Sequence, residues 1–128
     1  MMKHKFSRHY TREQARDLLP RVREWLERLF RLRDELRELD RKLSSLVGAG
    51  DDIGGSLVNR WLRVLAETKR VLSEFQSREI QIKDVDRGLV DFPAILGGRE
   101  VFLCWEKDDQ DIEYWHDLDS GYAGRERF

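Results

Sequence analysis

The chain has 128 residues, 38% of them charged and 40% hydrophobic, with a formal net charge of -1. That length supports one hydrophobic core and not two independent ones. A balance near zero gives no global field to attract nucleic acid or an anionic membrane, and the single cysteine, Cys104, excludes an internal disulfide framework.

The first ten residues, MMKHKFSRHY, are basic and lead into further charged residues, not into the apolar core of a signal peptide. No apolar run approaches the roughly 18 residues that cross a bilayer, so a cytoplasmic location is expected. A first helix is predicted over 11–47, opened by a T-x-x-Q capping box of Thr11 and Gln14. Leu18, Val22, Trp25, Leu29, Leu32, Leu36, Leu39, Leu43 and Leu46 recur at spacings of four and three. Such a heptad seam predicts long coiled-coil-like contact with a partner. Glu24–Arg28 and Glu38–Lys42 have the i,i+4 spacing of ion pairs. Pro20 predicts either a kink in the first turns or a helix that begins at it.

GAGDDIGGS, from Gly48 to Ser56, breaks this helix with a polar turn. A second helix is predicted over 56–79, with Val58, Trp61, Leu65, Thr68, Leu72 and Phe75 as its seam. Two amphipathic helices joined by a short loop read as an antiparallel hairpin. The first seam outlasts the second, and Leu19, Leu26 and Phe30 lie outside it. That surplus apolar surface calls for the sheet or a second chain, hence an expected homo-oligomer through the helices.

From residue 80 the period changes. Ile80 and Ile82 alternate with polar residues, GLVDFPAI follows from Gly88, and Gly97-Gly98 offers a hairpin turn. Val101 to Trp105 is continuously apolar and reads as a strand buried on both faces, and Ile112 to Leu118 reads as another. The expected fold class is therefore α+β: a long helical hairpin followed by a small antiparallel sheet, in one domain spanning 1–128. Pairing Glu106 with Ile112 places Cys104 opposite Tyr114 and Phe102 opposite His116, with these side chains on one face.

Candidate functional groups concentrate in YWHDLDSGYAGR, Tyr114 to Arg125. His116 is the candidate acid–base group, with Asp91 or Asp119 to orient its imidazole. A second reading puts a divalent metal on His116 and Asp119, with Asp117, Glu113 and Asp91 as further carboxylates. The spacing matches no established metal motif. Gly121 and Gly124 can turn backbone N–H groups toward an anion, and Arg125 and Arg99 can clamp one. Cys104 sits in an apolar run where a buried, inert thiol is the first expectation, although the register also permits a Cys–His pair.

FSRHYTREQARDLLPRVREWL, KDVDRGLVDFPAILGGREVFLCW and IEYWHDLDSGYAGR together resemble the bacterial domain-of-unknown-function family 2203, over essentially the whole chain. The resemblance implies a small cytoplasmic bacterial protein, a helical hairpin with a β-rich tail, and no assigned activity. Its pattern maps onto Asp86, Gly88, Asp91, Pro93, Arg99, Cys104, Trp105, Trp115, His116, Gly121, Gly124 and Arg125. The expected function is a binding or assembly protein with a C-terminal polar pocket lined by Asp91, Arg99, His116 and Arg125. The alternative is a small metal-dependent or acid–base enzyme centred on His116 and acting on an anionic small molecule.

Overall fold

The computed structural model describes residues 3–49 and 55–128. Most of the expected break between the helices, residues 50–54, lies outside the described residues. Helix α1 runs Arg12–Gly48 and α2 runs Gly55–Gln76. The capping box forms: the Gln14 N–H donates to the Thr11 hydroxyl at 3.1 Å, and the Thr11 N–H donates to the Gln14 side chain at 2.9 Å. Pro20 lies inside α1 and not at its start. Its side chain is exposed, so water can reach the Arg16 carbonyl that loses its helical partner.

Arg28 of α1 meets Glu67 of α2 at 3.2 Å, and Glu35 meets Arg60 at 3.1 Å. Partners descend along one helix as they ascend the other, so the pair is antiparallel. Arg28 therefore faces a carboxylate on α2 and not the expected Glu24, while Glu38 pairs with Arg41 instead of Lys42. The buried stripe also differs from the simple seam. Ala15, Leu19, Val22, Leu26, Leu29, Leu32 and Leu39 are buried on α1, with Leu18, Trp25 and Leu36 half-buried at its margin. The first half of α1 packs against both α2 and the sheet, so its apolar face is broader than a single helix–helix seam. On α2 the buried positions are Val64, Val71 and Phe75, and Leu62 is left 50% exposed.

Five antiparallel strands follow as a meander, in the spatial order β1-β2-β3-β4-β5. They are β1 Gln81–Asp84, β2 Leu89–Leu96, β3 Arg99–Glu106, β4 Tyr114–Asp117 and β5 Glu126–Arg127, with a short 3-10 turn Tyr122–Gly124 before the last. Gly97 and Gly98, at φ of 59° and 77°, close the β2–β3 hairpin between the paired Leu96 and Arg99. Positive φ at both central residues is the type I′ geometry that matches strand twist, and glycine reaches it without steric cost. In the β3–β4 ladder Phe102 faces His116 and Cys104 faces Tyr114, the expected register. The ladder stops at Tyr114. Ile112 is fully buried beside it, and its carbonyl accepts from the Arg12 Nε at 2.6 Å.

The two sheet faces have different covers. Val90, Phe92, Val101, Leu103 and Trp105 join the helical residues in one apolar core. The opposite face carries Asp91, Pro93, Phe102, Cys104 and His116, all buried. The chain ends cover it. Phe6 packs edge-on against Phe102 with ring centroids 5.4 Å apart, and the Lys5 and Phe6 N–H groups donate to the Glu100 carboxylate at 2.7 and 3.0 Å. Pro93 is tolerated in β2 because its carbonyl accepts from the Tyr10 N–H at 2.7 Å, away from β3. Its nitrogen points to that same edge, so no ladder bond to β3 is missing. Among the described residues, no helix is long and apolar enough to cross a membrane.

Candidate metal centre

The covered face of the sheet holds the chemistry. Asp91 and Cys104 are direct partners across β2 and β3, while His116 stands opposite Phe102 on β4. The orientation of Pro93 makes Asp91–Cys104 a pair without ladder hydrogen bonds between its members, the type in which side chains approach most closely. His116 is one diagonal step away, within reach of its ring. A carboxylate oxygen of Asp91, the Cys104 Sγ and a ring nitrogen of His116 lie within 4.8 Å of one another, and all three residues are buried. Exposure is 2% for Asp91, 1% for Cys104 and 2% for His116.

Both nitrogens of the imidazole are held. Nδ1 lies 2.7 Å from the Asp117 carbonyl, which can only accept, so Nδ1 carries a hydrogen and donates it. Nε2 lies 3.0 Å from the Asp91 Oδ2. Burial of the ring works against its charged form. The hydrogen bond to Asp91, with those to Cys104 and the Asp117 carbonyl and the Asp91 charge, outweighs burial and raises the His116 pKa from 6.5 to about 10. In the metal-free chain the two side chains thus form an imidazolium–carboxylate pair. Asp91 Oδ1, however, is buried with no hydrogen-bond partner. An orphaned buried carboxylate oxygen carries a desolvation cost, so it points to an absent donor or cation.

A cavity of about 200 Å³ opens beside these groups, lined by Lys83, Leu89, Asp91, Phe102, Cys104, His116, Leu118, Gly121 and Tyr122. The sequence signal at Asp91 and His116 therefore converges in space, and the remaining expected members of the pocket do not join it. Asp119 is exposed and lines a separate, shallower depression with Arg99 and Asp117. The expected partner Asp119 does not meet His116, because the turn after β4 carries it away from the strand face; the groups gathered beside His116 are Asp91 and Cys104. Arg99 is exposed and pairs with Asp117 at 3.0 Å. Arg125 lies between the Tyr114 and Tyr122 rings, 3.9 and 4.1 Å from their centroids, and 3.9 Å from Asp109. It braces the C-terminal turn and does not line the His116 cavity.

The two glycines of that turn have local reasons. Gly121 has a φ of 67°, and a Cβ on Gly124 would come 2.7 Å from the Ser120 Cβ. The Gly124 N–H donates to the Gly121 carbonyl at 3.2 Å, closing the turn on itself. Gly121 reaches the cavity wall and Gly124 does not. The apolar run around Cys104 favours an inert thiol, and no residue pattern marks Lys83. The pairing of Asp91 with Cys104 was nonetheless available, since a two-residue turn at Gly97-Gly98 fixes the β2–β3 register.

Neither a curated protein nor a solved structure matches the chain. The family model described as "Uncharacterized conserved protein (DUF2203)" matches residues 8–128, and the chain belongs to that family.

Proposed function

We propose that the protein binds a divalent metal ion through Asp91, Cys104 and His116, and that the ion is of the zinc class. The observation that carries this reading is the convergence of three different donor atoms within 4.8 Å in a buried site. A tetrahedral ion with bonds of about 2.0 Å to N and O and about 2.3 Å to S spaces its ligand atoms roughly 3.3–3.6 Å apart. Closure therefore needs only small side-chain movements. An imidazole, a thiolate and a carboxylate together suit zinc and its neighbours better than a hard cation that prefers oxygen alone.

Three further features support it. The Nδ1–H of His116 is anchored on a backbone carbonyl, the outer contact that orients metal-ligating histidines. Asp91 Oδ1 has no partner to give up. Three protein ligands beside a cavity leave a fourth position open, the arrangement of catalytic and not of structural zinc sites. This favours the metal-dependent reading of His116 over the assembly reading. Of the surplus apolar residues that motivated assembly, Leu19 and Leu26 are absorbed within the chain at 4% and 5% exposure, while Phe30 stays 39% exposed.

The test uses cobalt(II) as the probe. The purified protein is expected to take up one ion per chain, with the intense near-ultraviolet absorption of a thiolate–cobalt bond. Cys104→Ser is expected to lose that absorption and His116→Ala to lose most of the affinity, with both variants still folded by circular dichroism. Uptake without a thiolate band, or a band that survives in Cys104→Ser, overturns the assignment.

A further inference from the structure

We propose that the open side of this centre binds a small singly charged oxyanion, such as a simple carboxylate, with Lys83 as its second point of attachment. The proposal rests on the metal reading above and adds to it the class of ligand. It starts from an irregularity in the sheet. Gln81 pairs with Asp91 and Ile82 with Val90, but Leu89 then pairs with Asp84, so Lys83 is the extra residue of a β-bulge. Bulges re-aim a side chain and are enriched beside functional sites. Here the bulge sits on the strand next to Asp91, and Lys83 lines the same cavity as the three donor groups.

The Lys83 Nζ lies 5.4 Å from the Phe102 ring centroid, and the Phe102 ring in turn lies 5.5 Å from that of His116. Lys83 is the one basic residue of the lining besides His116, and Asp91, which holds His116, is its one acid. Among the described residues Lys83 takes part in no ion pair, and Asp91, the acid of the lining, is paired with His116 at 3.0 Å. Tyr122, the other polar wall residue, is already committed, with its hydroxyl 3.4 Å from Glu106 and its ring under Arg87 and Arg125. Lys83 is therefore the side chain free to meet a ligand.

Charge selects the ligand. A divalent ion held by one carboxylate and one thiolate forms a neutral centre. The Lys83 ammonium adds one positive charge, which a monoanion cancels and a cation or neutral molecule does not. Size narrows it further. A space of about 200 Å³ falls below the roughly 300–1,000 Å³ of pockets for drug-sized molecules. Leu89, Phe102 and Leu118 supply apolar wall, suited to a short aliphatic remainder. One oxyanion oxygen would occupy the open metal position while the other meets Lys83.

The cobalt(II)-loaded protein reports on this directly, since its visible spectrum follows the coordination sphere. Titration with acetate is expected to shift that spectrum saturably, and acetamide, of the same shape but uncharged, is expected to leave it unchanged. Lys83→Met is expected to weaken the acetate response about tenfold or more while leaving cobalt uptake intact, the loss of one charge-assisted contact. Lys83→Arg is expected to retain it. An acetate response equal in Lys83→Met and the parent, or one matched by acetamide, overturns the role of Lys83. Normal cobalt uptake with no acetate response sinks the anion site alone. Absence of the thiolate–cobalt band sinks the metal centre, and the anion site with it.

Discussion

At the scale of single residues, the buried Asp91–His116 pair dominates. Each side chain is 2–3% exposed, and each is the other's closest charged neighbour at 3.0 Å. Deleting one partner of a buried pair leaves the other's charge unpaired in a poorly solvated place, at a typical cost of about 3–5 kcal/mol. Asp91→Ala is accordingly expected to lower the unfolding free energy of the metal-free protein by about 3 kcal/mol in urea titration. A loss below about 1 kcal/mol would show that water in the adjoining cavity screens the charge left on His116. Arg125 illustrates the opposite lesson. It belongs to the residue cluster that first marks the C-terminal segment, yet its guanidinium is used to stack between Tyr114 and Tyr122. Arginine and tyrosine at that spacing announce chemistry and bracing equally well.

At the scale of elements, the helical hairpin is fastened across its exposed side by Glu67. Its carboxylate accepts from Arg70 at 2.6 Å on its own helix and from Arg28 at 3.2 Å on α1. The Arg70 hydrogen bond, opposed by desolvation and assisted by Arg28, lowers the Glu67 pKa from 4.5 to about 2. A depressed acid contributes stability that is present above its ordinary pKa and fades as pH falls through the folded value. The fastening should thus be complete above about pH 4.5 and vanish only toward pH 2. A carboxyl-carbon NMR titration is expected to place the Glu67 midpoint near 2. A midpoint in the ordinary glutamate range would mean that the Arg28–Glu67–Arg70 arrangement does not persist in solution. For the strands, turn chemistry is the deciding term. Gly97-Gly98 sets the β2–β3 register, and that register alone brings Asp91 opposite Cys104.

At the scale of the whole molecule, the sheet is a middle layer. Helices cover one face with a continuous apolar core, and the two chain ends cover the other, leaving the cavity beside the polar site. Phe6 is the apolar anchor of the N-terminal cover, packed on Phe102, which itself touches the His116 ring. Phe6→Ala is expected to reduce stability by about 1–2 kcal/mol, as befits a half-buried aromatic. It is also expected to quicken amide exchange around Phe102 and His116 while sparing the centre of α1. Equal acceleration in both regions would mean that the cover and the helical core unfold as one unit.

Much of this architecture is written in local pattern. The capping box, the change of period after residue 80, the glycine turn and the β3–β4 register are all readable from neighbouring residues, because helix and strand periods and turn geometries are short-range properties. The face shared by Phe102, Cys104, Tyr114 and His116 follows from them. What the tertiary structure decided is which surfaces are covered and by what. Leu19 and Leu26 became core because the sheet lies on α1 beside α2. His116 was given Asp91 and Cys104, not Asp119, because the chain turns away after β4, and Lys83 joined the cavity through a bulge that no residue pattern marks. Cover, partner and cavity depend on contacts between segments far apart in the chain, and those follow from packing the layers together, not from the period within any one of them.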